Sequence, residues 1–196
     1  MAKEQIKVLF LDFDGVITTL DSHYSLDPKL IQRIKTITEK TNAKIVVSSS
    51  YKVGCENADE FRKAMNHRPN RTDTSDNMVW WLLENVYDVT DSSGSCRGDE
   101  IKRWLGKHPE TTSYVIIDDD ADFLDEQLFY FVQTDFFEGI TEREEKLCIK
   151  VLNKEHINNR IRLNLELMTR WRNKQAKLGP DRISGLIMEF NSKENE

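Results

Sequence analysis

Residues 8–17 read VLFLDFDGVI. Four apolar residues run into Asp12 and Asp14, which flank Phe13 and are followed by Gly15 and two β-branched residues. The apolar run is continuous rather than alternating, the pattern of a strand covered on both faces of a parallel sheet. A strand is predicted over 7–12, and similar short runs predict others at 44–48, 113–118 and 128–133.

Helical patterns separate these runs. In LDPKLIQRIKTITEKTN, Asp27 and Pro28 supply an N-cap and first turn, and Leu30, Ile31, Ile34 and Ile37 form one apolar stripe. GDEIKRWLGKHPE repeats the pattern with Ile101, Trp104 and Leu105. Strands alternating with helices predict βαβ units in a doubly wound α/β sheet. Residues 53–95 break the rhythm. ADEFRKAMNH and MVWWLLENV read as helices around a polar stretch, so the segment is either a small lid or two packed helices. The pair Trp80-Trp81 reads as core. From Ile157 onward, Ile157, Ile161, Leu165, Met168 and Trp171 predict an amphipathic helix. The domain organisation expected is therefore 1–154, with 53–95 as an insertion and minimal cap, followed by a helical extension over 155–196.

Composition bounds the function. With 32 % charged and 38 % apolar residues, the chain suits a globular protein and not a disordered one. Cys55, Cys96 and Cys148 are odd in number and lack CxxC spacing, which argues for free thiols in a reducing compartment and against a zinc site. MAKEQIK opens no signal-like apolar run and no stretch approaches a membrane span, so the expected location is cytoplasmic. Residues 1–150 carry 19 Lys and Arg against 28 Asp and Glu, a balance of −9, whereas 151–196 carry 9 against 6, a balance of +3. The basic tail, with Arg160, Arg162, Arg170, Arg172 and Lys174, is either a solvated helix face or a contact for a polyanion.

In an open parallel sheet, ligands sit outside the carboxyl ends of the strands. Four polar signals fall there: Asp12 and Asp14, the triplet Ser48-Ser49-Ser50, Arg97 at the start of a helix, and Asp118, Asp119, Asp120 and Asp122 after the third predicted strand. Singly, each reads as a turn or cap residue. Together they crowd carboxylates at one sheet edge, at a cost of about 1 kcal/mol or more per close pair near a surface. A divalent cation would offset that repulsion, and hard oxygen ligands favour Mg²⁺.

The order DxDG, strand-Ser, basic residue, strand-DD resembles that of the haloacid dehalogenase (HAD) superfamily of phosphohydrolases. It is closer still to the HAD domain in Swiss Army Knife RNA repair proteins, through LDPKLIQRIKTITEKTNAKIVVSSSYK, RGDEIKRWLGKHPETTSYVIIDDDADFL and FVQTDFFEGIT. The resemblance spans roughly residues 5–152 and implies a Rossmann-like sheet. It further implies that Asp12 is the nucleophile forming an aspartyl-phosphate and Asp14 the general acid and base. Ser48, or Ser49 if the strand runs one residue further, would hold the phosphate with Arg97. Asp12, Asp14 through its carbonyl, Asp118, and Asp119 or Asp122 would hold Mg²⁺. Arg97 stands where lysine is usual, with Lys102 and Lys52 as alternative cations, and Tyr51-Lys52 replaces the usual Trp-Arg. The function this implies is phosphohydrolysis at a nucleic-acid or nucleotide phosphate end, as in RNA repair. A phosphatase for a small metabolite or phosphoprotein, or an inactive scaffold of the same fold assembling through its C-terminal helix, are the alternatives.

Overall fold

The computed structural model describes residues 4–67, 76–93 and 96–155. Five parallel strands form one sheet: β1 (Ile6–Leu11), β2 (Ala43–Val47), β3 (Val86–Val89), β4 (Thr111–Asp118) and β5 (Phe131–Gln133), in the order β3-β2-β1-β4-β5. The chain builds outward from β1 to β3 and then crosses to begin the other half at β4. The switch point therefore lies between β1 and β4, where an open α/β sheet leaves a crevice at its carboxyl edge.

Alternate residues of the strands serve opposite faces of the sheet. Leu9, Leu11, Ile45, Val47, Val115 and Ile117 join the larger core, with Ile31, Ile34 and Ile37 of α1 (Pro28–Thr41), Phe61 and Met65 of α2 (Ala58–Asn66), Leu82 of α3 (Asn77–Asn85) and Leu147 and Val151 of α5 (Glu142–Leu152). Val8, Phe10, Val46 and Ile116 face Ile101 and Trp104 of α4 (Arg97–Lys107). Phe10 meets the Trp104 ring edge-on at 5.3 Å between centroids. The two faces are covered unequally, but both are dry, as the continuous apolar runs require.

Local signals account for the helix ends. Asp27 accepts the Lys29 amide at 2.8 Å, and Asn42 closes α1 in the left-handed conformation. Thr141 and Glu144 form a capping box at α5, a helix the apolar periodicity alone did not bring out.

Three expectations need correction. Residues 128–133 are not one strand. Asp125–Tyr130 form a 3₁₀ turn and only Phe131–Gln133 pair with β4, because buried Gln127 accepts the Leu124 amide at 3.0 Å and donates to the Gly98 carbonyl at 2.9 Å. The segment 53–95 is not wholly an insertion: Val86–Val89 pair with β2 as the sheet's edge strand, and α2 and α3 pack into the larger core. Trp80 is 58 % exposed and Trp81 is half-buried against that core, so the pair splits between surface and packing. The expected C-terminal helix, its basic face and the assembly role assigned to it lie outside the described residues, as does the polar stretch 68–75.

Candidate active site

The sheet register brings the polar signals into one row. Leu11 pairs with Val47 on one side and with Ile117 on the other, so Asp12, Ser48 and Asp118 leave the three central strands at the same level. The ladder continues past the strand ends: the Asp12 amide donates to the Ile117 carbonyl at 3.1 Å and the Ser48 amide to the Leu11 carbonyl at 2.9 Å. The flanking strands add Thr90, whose amide donates to Val47, and Thr134, whose amide donates to Asp118. Gly15 then turns the chain with φ +70°, and a Cβ there would lie 2.6 Å from Asp119 Cγ. Phe13 packs away from the row, wholly buried against Tyr51 and Phe61.

Asp12, Asp118 and Asp119 each offer a carboxylate oxygen within 4.8 Å of the others. Asp122 stands apart, its carboxylate accepting the Arg97 amide at 3.3 Å and its carbonyl the Gly98 amide at 3.0 Å. That leaves Asp119, not Asp122, as the acidic partner of Asp118. The Arg97 guanidinium approaches from α4, with Nη2 3.5 Å from Asp12 Oδ1 and Nε 3.9 Å from Asp118 Oδ2. Its helix is seated close to the 121–127 segment, since a Cβ on Gly98 would fall 2.5 Å from the Leu124 amide nitrogen.

Asp14 is in a different setting. Thr18 Oγ1 donates to its Oδ1 at 2.7 Å and Tyr51 Oη donates to the same oxygen at 3.0 Å. Both donors load one oxygen, so a proton carried by this carboxyl belongs on Oδ2. Neither Thr18 nor Tyr51 was singled out as a partner of Asp14 by sequence pattern. Tyr51, which stands where the resemblance has Trp, is buried with its ring on Phe13. The alternative cations are both committed elsewhere: Lys52 is buried 2.9 Å from Glu100, and Lys102 pairs with Glu126 at the surface.

Burial and mutual repulsion show in the proton affinities. Desolvation pushes the Asp12 carboxyl up to about 7 against the pull of Arg97 and a hydrogen bond from Ser49. Asp118 is raised well above the usual carboxylate range by burial and then by Asp12, and Asp119 is raised to about 6, chiefly by burial. Asp12 Oδ1 and Ser48 Oγ are both buried without a hydrogen-bond partner. Three converging carboxylates, one of which has a buried oxygen without a hydrogen bond, are a donor set that fits a small, hard divalent cation.

This fit has a measurable consequence. Because these groups bind protons more tightly folded than unfolded, their contribution is full below about pH 4 and is lost as pH rises toward 7. For Asp12 alone the loss is of the order of 4 kcal/mol. Thermal denaturation in a chelator should show stability falling between pH 5 and pH 8, and excess Mg²⁺ should raise the melting temperature more at pH 8 than at pH 5. A Mg²⁺ response that is equal at both pH values would refute the assignment of these carboxylates to a cation.

A family model described as the HAD domain in Swiss Army Knife RNA repair proteins matches residues 8–144. No curated protein and no solved structure matches the chain. Among the described residues, no helix is long and apolar enough to cross a membrane.

Proposed function

The chain belongs to the family of the HAD domain in Swiss Army Knife RNA repair proteins, and from that premise we propose that it is a Mg²⁺-dependent phosphohydrolase acting on the phosphorylated end of a nucleic acid or nucleotide. The observation that carries this reading is the pair of buried oxygens that make no hydrogen bond, Asp12 Oδ1 and Ser48 Oγ, on adjacent strand ends, with the Arg97 guanidinium 3.5 Å from the former. A protein interior rarely leaves such atoms without a partner, which a ligand, an ion or ordered water supplies.

In this mechanism Ser48, Ser49 and Arg97 bind the non-bridging oxygens of the phosphate. Asp12 attacks phosphorus while Asp14, protonated on Oδ2, gives its proton to the leaving oxygen; the Asp12–phosphorus bond forms as the ester bond breaks. Asp14 then accepts a proton from the water that hydrolyses the aspartyl-phosphate. Asp12, Asp118, Asp119 and the Asp14 carbonyl would hold Mg²⁺, which supplies the positive charge that lets an ionised Asp12 approach an anionic phosphate. Without such charge the burial of Asp12 raises its carboxyl to about 7, so that much of it is in the protonated, non-nucleophilic form at neutral pH. The differing surroundings of Asp12 and Asp14 support their separate roles.

The substrate class rests on the family's RNA-repair description and on the commitment of α2 and α3 to the core. Purified protein with Mg²⁺ should release phosphate from 3′- or 5′-phosphorylated oligonucleotides with kcat/KM at least roughly tenfold above that for sugar phosphates or phosphopeptides, a difference of about 1.4 kcal/mol in transition-state binding. Preference for either small class would overturn the substrate assignment. Release from none of them would overturn the hydrolase reading itself.

A further inference from the structure

Two loops beside the site carry apolar side chains that the fold does not bury. Leu20 is 48 % exposed, Tyr24 36 % and Phe137 57 %, and Phe136 links the two loops, its ring 6.2 Å from that of Tyr24 and 5.5 Å from that of Phe137. The ridge is tied to the catalytic row. Thr134 Oγ1 donates to the Gly15 carbonyl at 2.7 Å, and the Ile140 amide donates to the Val16 carbonyl at 2.9 Å. The loop bearing the two phenylalanines is thus bonded at both ends to the turn directly after Asp14. Phe136 follows Thr134 by two residues, a backbone span of no more than about 8 Å.

The other loop is held in an unfavourable shape. His23 and Tyr24 both adopt left-handed conformations, with φ of 51° and 59°, which side-chain-bearing residues seldom take in succession. Ser22 Oγ locks the turn by donating to the Ser25 carbonyl at 2.7 Å and accepting the Thr19 amide at 2.9 Å. Strain that surrounding bonds enforce is concentrated at ligand clamps and other functional positions. Its product here is a fixed aromatic ring at the surface, next to another.

We infer that Tyr24, Phe136 and Phe137, with Leu20 at their flank, form a stacking platform for the nucleobase adjoining the phosphate to be removed. This rests on the phosphohydrolase reading and names the part of the substrate that it recognises. Aromatic faces accept any base and need no hydrogen-bond code. Asp21, Asp135 and Glu138 are exposed at the border of the ridge, so the described residues around it give no cationic track for a phosphate backbone. The occupant is therefore the terminal base and not a length of polynucleotide.

The test compares oligonucleotides of one sequence bearing a terminal phosphate, with the last residue either a purine nucleoside or abasic. The wild-type protein should favour the purine by about tenfold in kcat/KM, mainly through KM. Phe137→Ala and Tyr24→Ala should collapse that ratio toward one, while Tyr24→Phe should keep it. On Asp12→Asn protein, a terminal 2-aminopurine should be quenched on binding, and adding Phe137→Ala should remove the quench. Phe137 is surface-exposed, so its variant is not expected to unfold. Equal turnover of purine and abasic ends, or an undiminished ratio and quench in both alanine variants, would overturn the platform and leave the hydrolase reading standing. A concentration-dependent dimer abolished by Phe137→Ala would overturn it too, by assigning the ridge to a second copy of the chain. Loss of all phosphate release with a ridge-dependent quench would overturn the hydrolase reading and retain the platform.

Discussion

Asp12→Asn should reduce phosphate release by roughly 10⁴-fold or more, the scale seen when a covalent nucleophile is removed from an otherwise intact site. Asparagine keeps the shape of the side chain but cannot form the aspartyl-phosphate. The same change should not weaken the fold. Asp12 is buried, with its carboxyl raised to about 7, and at pH 8 the wild-type protein must keep it ionised beside Asp118 and Asp119. Removing that charge relieves both burial and repulsion. In chelator at pH 8 the variant should therefore melt above the wild-type protein; the gap should narrow by pH 5, where folded Asp12 is largely protonated, and close below about pH 4, where the unfolded chain is protonated too. Phosphate assays and melting curves on the same preparations separate the outcomes. Activity equal to wild type would remove Asp12 from the mechanism. Lost activity with a lower melting temperature at pH 8 would mean a structural aspartate instead.

Much of this site was legible because the carboxyl-edge rule turns strand ends into coordinates. Once VLFL, KIVV and YVII are read as neighbouring parallel strands, Asp12, Ser48 and Asp118 must come together whatever lies between them. The ambiguity between Ser48 and Ser49 came from the strand end. β2 stops at Val47, which puts Ser48 level with Asp12, yet Ser49 both caps the following turn and hydrogen-bonds Asp12. The strand β3 was not legible for two reasons. It is four residues long and follows α3 without a loop, so its valines extend the helical pattern of MVWWLLEN. The supports of Asp14 were hidden differently. Thr18 and Tyr51 are 4 and 37 residues from Asp14, and only the folded chain aims both hydroxyls at one oxygen. Thr134 could have been found: it ends the run FVQT and obeys the same edge rule as Asp12.

Lys52→Met should cost about 3–5 kcal/mol of stability, the range for breaking a buried ion pair from one side. Lys52 Nζ lies 2.9 Å from Glu100 Oε2, with side chains 3 % and 12 % exposed, and Thr90 Oγ1 is 3.5 Å from the same carboxylate oxygen. Removing the ammonium leaves Glu100 in a dry setting with one long hydroxyl contact. The intact pair is nonetheless no net gain over an apolar one. Burial lowers the Lys52 ammonium below its ordinary value despite the opposing attraction of Glu100, so desolvation outweighs pairing. It follows that Lys52→Met/Glu100→Leu should recover to within about 1 kcal/mol of wild type or exceed it. Urea denaturation of the two single variants and the double variant measures the coupling, and a double variant as unstable as the singles would refute this account. What the pair does provide is placement. Glu100 is one helical turn beyond Arg97, and Lys52 sits three residues past Ser49, so a single buried contact sets the register of α4 against the serine loop. It also leaves Arg97 as the cation beside Asp12, since the nearby lysine is neutralised by a carboxylate of its own.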